Sequence, residues 1–317
     1  MIEQKGEFMS LHNLNSLTVG VPDVEAVRGY YKDFGLTGED DGWLATTDGG
    51  GQLRLVPAPR RQLLQMEIGV DDPDDIGRIA GQLRRIGVAV SRLSGDSVTA
   101  AEPVTGVQVT ATVTRRLVQQ PSPEAMYNQP GLIRRPDART PGILREPAVR
   151  PRRLGHVVIG STDQATSQRF FTDGFGLKVS DQVRDAAAFM RCSTDHHNVL
   201  VQRAPVNFLH HTAWQVDDID DIGRGAMVML EGHPERHAWG LGRHFIGSNF
   251  FWYLRDPAGT FSEYYSDLDC IIDDALWSPR VWEGDKALYS WGPPPPPSFV
   301  NPEDLAAHMT GAHSATG

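Results

Sequence analysis

Eight of the chain's 11 histidines fall between residues 156 and 244, and three residues in this half have types that suit a metal site. His156 lies in the apolar run LGHVVIGSTD, which starts at Leu154. His211 lies in LHHTAWQVDD, which starts at Leu209, and Glu263 lies in FSEYYSD. Two imidazoles and a carboxylate on adjoining strands can tie down one face of an octahedral cation, leaving three positions open for substrate and O2. These donors suit Fe(II), with Mn(II) as the alternative. A structural zinc site would want a closed tetrahedral shell, often with thiolates, and the chain has only two cysteines. Taken singly, His156 is a satisfied core histidine and Glu263 a solvent-facing strand residue. Their placement in a repeat is what joins them.

Four segments open on an apolar run that ends in an acidic turn, at Leu14, Leu63, Leu154 and Leu209, with a period of about 50 residues. Each run reads as a buried strand whose terminal Asp caps a following helix, and three strand-like segments close each unit. The first and third helices end in the same phrase, Phe34-Gly35-Leu36 and Phe175-Gly176-Leu177, where glycine suits a helix C-terminus. The expected fold is α+β, with four βαβββ modules paired into two domains. Residues 12–118 form an N-terminal domain without a metal site and 154–269 a C-terminal metal-binding domain. A Pro/Arg-rich linker covers 119–153, and a tail containing Trp277, Trp282, Trp291 and the run Pro293 to Pro297 covers 270–317. The proline run favours an extended strap, and the aromatic residues ahead of it pack the tail onto the second domain.

Superposing the apolar runs aligns Ser16, Gln65, His156 and His211, and superposing Gly106 on Gly259 sets Thr110 opposite Glu263. The second half therefore has His, His and Glu where the first has Ser, Gln and Thr. Strand alternation sends His210 and His211 to opposite faces, so only one can be a ligand, and the register of His156 selects His211.

The composition narrows the class. At 40% hydrophobic and 22% charged residues, the 317-residue chain is too apolar for disorder and long enough for two domains. A net charge of −10 argues against nucleic acid or an anionic membrane as partner. The first residues lack the apolar core of a signal peptide, no run is long enough to span a bilayer, and two cysteines make no disulfide scaffold. These point to a cytoplasmic protein.

One further cluster, GRHFIGSNFFWYLRDPAGTFSE from Gly242, carries a family likeness. Gly242, His244, Tyr253, Asp256, Pro257, Gly259 and Glu263 resemble the signature of the type I extradiol ring-cleaving dioxygenases of the vicinal oxygen chelate superfamily. Trp252 departs from it, standing where the family usually has an aliphatic residue or Phe. The resemblance implies a pair of vicinal-oxygen-chelate domains and a catechol-type substrate cleaved with O2 beside its diol. It also implies Fe(II) held by His156, His211 and Glu263. The family has an acid–base histidine about fifteen positions ahead of the second ligand, which falls on His196, with His197 as the fallback. His244 and Tyr253 match the groups that hydrogen-bond the substrate oxygens. The residues after His244, Phe245-Ile246-Gly247, lack the Asn-Asp common in dihydroxybiphenyl-type members and imply a differently shaped pocket. Phe189, Met190, Phe250, Trp252 and the tail tryptophans are candidates for its apolar lining.

Two other readings compete. A glyoxalase- or isomerase-like enzyme of the same superfamily would want a second ligand carboxylate, where this chain offers His196. A non-catalytic aromatic-ligand-binding protein of this fold would lack the triad. The first half, without a triad, is expected to act as scaffold and to support a homo-oligomer.

Overall fold

The computed structural model of the chain describes residues 11–146, 148–284, 287–306 and 308. The stretch before Leu11, where a signal peptide would lie, and the end of the tail beyond His308 fall outside them. Two sheets dominate, of eight and nine strands.

The first sheet is built from β1 (Leu11–Val21), α1 (Val24–Asp33), β2 (Thr37–Gly38), β3 (Trp43–Thr46) and β4 (Gly50–Pro57). Its second module follows as β5 (Gln62–Val70), α2 (Pro73–Arg85), β6 (Val90–Leu93), β7 (Ser97–Ala101) and β8 (Gln108–Val113). The second sheet repeats the plan. Its first module comprises β9 (Arg153–Ser161), α3 (Gln164–Arg169), β10 (Lys178–Val183), β11 (Ala187–Arg191) and β12 (Val199–Arg203). The last module comprises β13 (Phe208–Gln215), α4 (Ile219–Leu230), β14 (His237–Arg243), β15 (Phe250–Arg255) and β16 (Phe261–Ser266). The tail adds β17 (Arg280–Trp282), paired in parallel with β10, and a short helix, α5 (Pro297–Val300).

The acidic turns act as caps in all four modules. Asp23, Asp72, Asp163 and Asp218 each sit at a helix N-cap, and each accepts a hydrogen bond from an amide of the first turn. In α2 the buried residues Ile76, Ile79, Ala80 and Leu83 recur at helical spacing. Gly35 and Gly176 end their helices with φ of +100° and +86°, a conformation glycine adopts without strain.

Strand order is β2-β3-β4-β1-β5-β8-β7-β6 in the first sheet. In the second it runs β17-β10-β11-β12-β9-β13-β16-β15-β14, the same plan plus the tail strand. The registers carry the correspondence down to single residues. Ser16 pairs with Glu67 and Thr18 with Gln65. His156 pairs with Ala213 and Val158 with His211. Thr110 lies beside Glu67 as Glu263 lies beside Ala213. Ser16, Gln65 and Thr110 thus occupy the sheet positions of His156, His211 and Glu263. Ser16 and Thr110 are half-buried and Gln65 is exposed, whereas the second-half trio is buried.

The halves share one core. Tyr30 and Tyr31 on α1 and Phe34 at its C-cap cross onto the second sheet, where the Tyr31 hydroxyl lies 3.1 Å from Thr212 Oγ1 and the Phe34 ring stacks on Tyr264 at 3.8 Å. Among the described residues, no helix is long and apolar enough to cross a membrane. The proline run does not remain extended throughout, because the chain turns into α5 at Pro297.

Candidate metal centre

His156 on β9, His211 on β13 and Glu263 on β16 converge because these three strands are neighbours at the centre of the second sheet. His156 Nε2 lies 3.0 Å from Glu263 Oε2 and 3.3 Å from His211 Nε2, and His211 Nε2 lies 3.6 Å from the same oxygen. Donors sharing one cation at about 2.1 Å stand roughly 3.0 to 3.4 Å apart. Two of the three distances fall in that range and the third, 3.6 Å, lies just beyond it, close to the spacing of a ligand set. Glu263 Oε2 accepts no hydrogen bond although it is fully buried. An unpartnered buried carboxylate oxygen facing two imidazoles is what a divalent cation would satisfy. Burial, reinforced by His210, His156 and His244, holds the His211 imidazole well below its ordinary pKa, in the neutral form a metal requires.

Hydrogen-bond direction around the trio is set by groups that can only accept. His210 Nε2 is 2.8 Å from the Phe299 carbonyl oxygen, so this nitrogen carries the proton and donates. His210 Nδ1 is then a lone pair, and His211 Nδ1, 2.7 Å away, donates to it. That leaves His211 Nε2 unprotonated and aimed at the trio, the usual way a neighbouring group orients a metal-ligating histidine. The same argument applies to His244. Its Nδ1 donates to the Leu288 carbonyl at 2.6 Å, so its Nε2 accepts from the Tyr253 hydroxyl at 2.9 Å. Burial, with the Glu263 charge adding to it, pushes the Tyr253 phenol well above its ordinary pKa and keeps it a donor. Glu263 Oε1 accepts from Asn249 Nδ2 at 3.0 Å.

His156, His210, His211, His244 and Tyr253 line one chamber with a volume of about 70 Å3. The structure brings His156, His211, His244 and Tyr253 together there, with Glu263 Oε2 3.0 Å from His156 Nε2, but not His196. The expected acid–base residue, His196, is fully buried and turns away, with Nε2 3.3 Å from Asp181 Oδ2. His197 lines the chamber instead, its ring centroid 4.3 Å from that of His156. The physical reason is local. The pair sits in the β11–β12 loop, not on a strand, so alternation does not set its faces. Asn198 fixes the loop by accepting from the Cys192 amide at 2.9 Å and donating to the Gly155 carbonyl at 3.0 Å, while the His196 amide donates to Asp269. Burial, reinforced by the surrounding histidines, holds the His197 imidazole well below its ordinary pKa.

Two other expectations change. His210 and His211 do not part to opposite faces: the β9–β13 pairing slips between Leu209 and His211, and both rings reach the chamber. Of the residues expected to line the pocket, Phe189 does so. Met190 is buried in the main core, and Phe250 and Trp252 pack against it. Trp277, Trp282 and Trp291 do not line the chamber; its tail-derived wall is Ala287, Leu288 and Phe299. Asn249 lies inside the recognised signature, but the Leu288 and Phe299 carbonyls had no side-chain signal by which sequence reasoning could find them.

Residues 153–264 match the model of the Glyoxalase/Bleomycin resistance protein/Dioxygenase superfamily. They form a domain of that superfamily. Metapyrocatechase 2 of Cupriavidus necator is 37% identical over 155 residues, which is 48% of this chain and 48% of that protein. The chain therefore spans about half the length of this curated relative. The likeness in fold extends further than that match. The Mn(II)-bound glyoxalase from Novosphingobium aromaticivorans superposes with a TM-score of 0.72 at 24% identity, covering 90% of this chain and 93% of that one. A variant of homoprotocatechuate 2,3-dioxygenase from B. fuscum superposes with a TM-score of 0.73 at 19% identity, covering 92% and 81%. At these identities the two structures establish a shared fold.

Proposed function

We propose that the chain is an extradiol dioxygenase that cleaves the ring of a catechol-type diol with O2, using Fe(II) or Mn(II) held by His156, His211 and Glu263. The observation that carries this reading is the buried trio with its unpartnered Glu263 oxygen, two of whose members, His156 and His211, share one chamber with His197, His244 and Tyr253. The likeness to a metapyrocatechase supports it. A bound divalent cation would supply Lewis acidity that lowers the catechol hydroxyl pKa values, together with open positions for the diol and O2.

The chain's own residues do the rest. His197, neutral and facing the chamber, serves as general base toward a catechol hydroxyl and later as general acid. Tyr253 and His244 form a donor–acceptor pair that hydrogen-bonds the bound diol. Asn249 keeps the Glu263 carboxylate turned toward the two imidazoles. Val158, Phe189, Leu200, Ile246, Ala287, Leu288 and Phe299 exclude water. No lysine or arginine is among the described residues lining the chamber, which suits a neutral catechol better than one carrying a carboxylate.

A glyoxalase-like reaction is the weaker reading, because the chamber's trio has no second ligand carboxylate among the described residues. Two further parts of the proposal are a cytoplasmic setting, which the free thiols Cys192 and Cys270 support, and a homo-oligomer, checked by native mass spectrometry. The decisive test is anaerobic loading with Fe(II), or separately Mn(II), followed by O2 and a panel of diols. A yellow ring-cleaved product from catechol or a neutral alkylcatechol is expected. Metal uptake without O2 consumption on any diol would sink the activity as stated.

A further inference from the structure

Asp181 and His196 are buried polar residues that the proposed reaction leaves unused. Asp181 lies on β10 and His196 in the β11–β12 loop, with 5% and 0% of their surface exposed. Their contacts make a chain leading into the chamber: Asp181 Oδ2 is 3.3 Å from His196 Nε2, and His196 Nδ1 is 3.1 Å from His197 Nδ1. The Arg280 amide donates to the other Asp181 oxygen at 2.7 Å and holds the carboxyl in place. Phe189 from β11 and Trp277 from the tail pack edge-on against the His196 ring, which fixes its plane.

We propose that Asp181 and His196 are positioning residues that fix His197 as the Nδ1–H tautomer, leaving its Nε2 lone pair facing the chamber as the base. This rests on the reading that the chamber binds a catechol. An ionised carboxylate can only accept, so His196 carries its proton on Nε2 and donates to Asp181. His196 Nδ1 is then a lone pair, and it can be satisfied only by a proton on His197 Nδ1. One proton per ring follows, and Nε2 is the only nitrogen of His197 left free. Burial alone would raise the Asp181 carboxyl, but the bonds from His196 and from the Arg280 amide outweigh it and hold it below the ordinary range, hence ionised. The arrangement parallels the Phe299 carbonyl–His210–His211 chain on the other side of the chamber, where an acceptor also sets a neighbouring tautomer. A catechol hydroxyl can pass its proton to Nε2, giving a His197 imidazolium whose charge Asp181 stabilises through His196. Without the chain His197 could rotate or take the other tautomer, which would present an N–H to the hydroxyl and no base.

The test has one readout that needs no metal. Long-range proton–nitrogen correlation spectra of the metal-free, 15N-histidine-labelled full chain report which ring nitrogen is protonated. His197, assigned by its loss in His197→Gln, is expected as the Nδ1–H tautomer, and as a mixture of tautomers in Asp181→Leu and His196→Phe. After Fe(II) loading, both variants should lose about tenfold or more in kcat with KM for catechol within about twofold, and Asp181→Glu should recover most of kcat. An Nε2–H tautomer in the native chain, a doubly protonated His196, or variants that leave tautomer and kcat unchanged would overturn the inference. A native chain that cleaves no diol would overturn the proposed function, and the tautomer spectra would then decide the positioning role alone.

Discussion

At the scale of the residue, the trio His156, His211 and Glu263 divides sharply from the groups that surround it. Removing a donor atom should abolish metal retention: His211→Ala and Glu263→Ala are expected to carry less than about a tenth of the native metal after loading and desalting, measured by elemental analysis. His210→Phe leaves all three donors in place but removes the acceptor that orients His211, and should weaken metal affinity by about 10- to 100-fold. Equal affinity in His210→Phe and the native chain would refute that role. His197→Phe should retain metal and bind catechol, yet lose some two to four orders of magnitude in kcat, the range for a missing general acid–base. The convergence of His156, His211 and Glu263 was legible in the sequence because His, His and Glu stand at repeat-equivalent positions where the first half has Ser16, Gln65 and Thr110. His197 was legible only as the fallback to His196, and His210 was not legible as a site residue. Their orientations depend on a loop held by Asn198 and on a slip in strand pairing, and neither leaves a periodic trace.

At the scale of the element, the C-terminal strap does more than pack. It supplies the Leu288 and Phe299 carbonyls that set the tautomers of His244 and His210, and the Phe299 ring lies 4.6 Å from that of Tyr253. The strap is anchored from the first half. The fully buried Arg61 side chain makes a two-pronged ion pair with Asp304 at 2.7 Å, and its third nitrogen donates to the Leu209 carbonyl, next to His210. Burial would raise the Asp304 carboxyl, but bonds from His308 and Arg61 more than offset it and hold the group well below its ordinary value. A depressed folded-state pKa contributes stability that is complete above the unfolded value of about 4 and is lost as pH falls below it. Asp304→Asn should therefore destabilise the chain by about 2 kcal/mol at neutral pH, with the gap to the native chain closing below about pH 4. Thermal midpoints of the two proteins across about pH 3 to 7 would show it, and a gap independent of pH would refute the ion-pair account. Sequence reading placed the tail on the second domain from its aromatic residues. Backbone acceptors are common to every residue, so composition could not mark which of them would matter.

At the scale of the whole molecule, the four-module plan explains both why one half can hold a metal and why that half cannot do without the other. The repeat was readable from apolar runs, capping aspartates and paired glycines, because those signals are local. The interlock was not, since it depends on which helix crosses to which sheet. The first-half helix α1 lies against the two strands that carry His211 and Glu263. Tyr30 hydrogen-bonds Ser262, Tyr31 bonds Thr212, and the Tyr264 hydroxyl donates to the Phe34 carbonyl at 2.7 Å beneath the Phe34–Tyr264 stack. Ser262 and Thr212 are the immediate chain neighbours of Glu263 and His211, so the far face of the strands that carry the trio is held by a helix from the first half. Phe34→Ala would open a cavity against Tyr264 and cost about 3 to 5 kcal/mol in global stability. Loss should also extend to the site: metal affinity is expected to fall several-fold although Phe34 contacts none of the three donors. An isosteric control, Tyr31→Phe, removes one hydrogen bond at about 1 kcal/mol and should leave metal affinity within about twofold. Chemical denaturation and metal titration on the same samples separate the two effects. If Phe34→Ala lowers the denaturation midpoint but binds metal as the native chain does, the first half stabilises the fold without shaping the site.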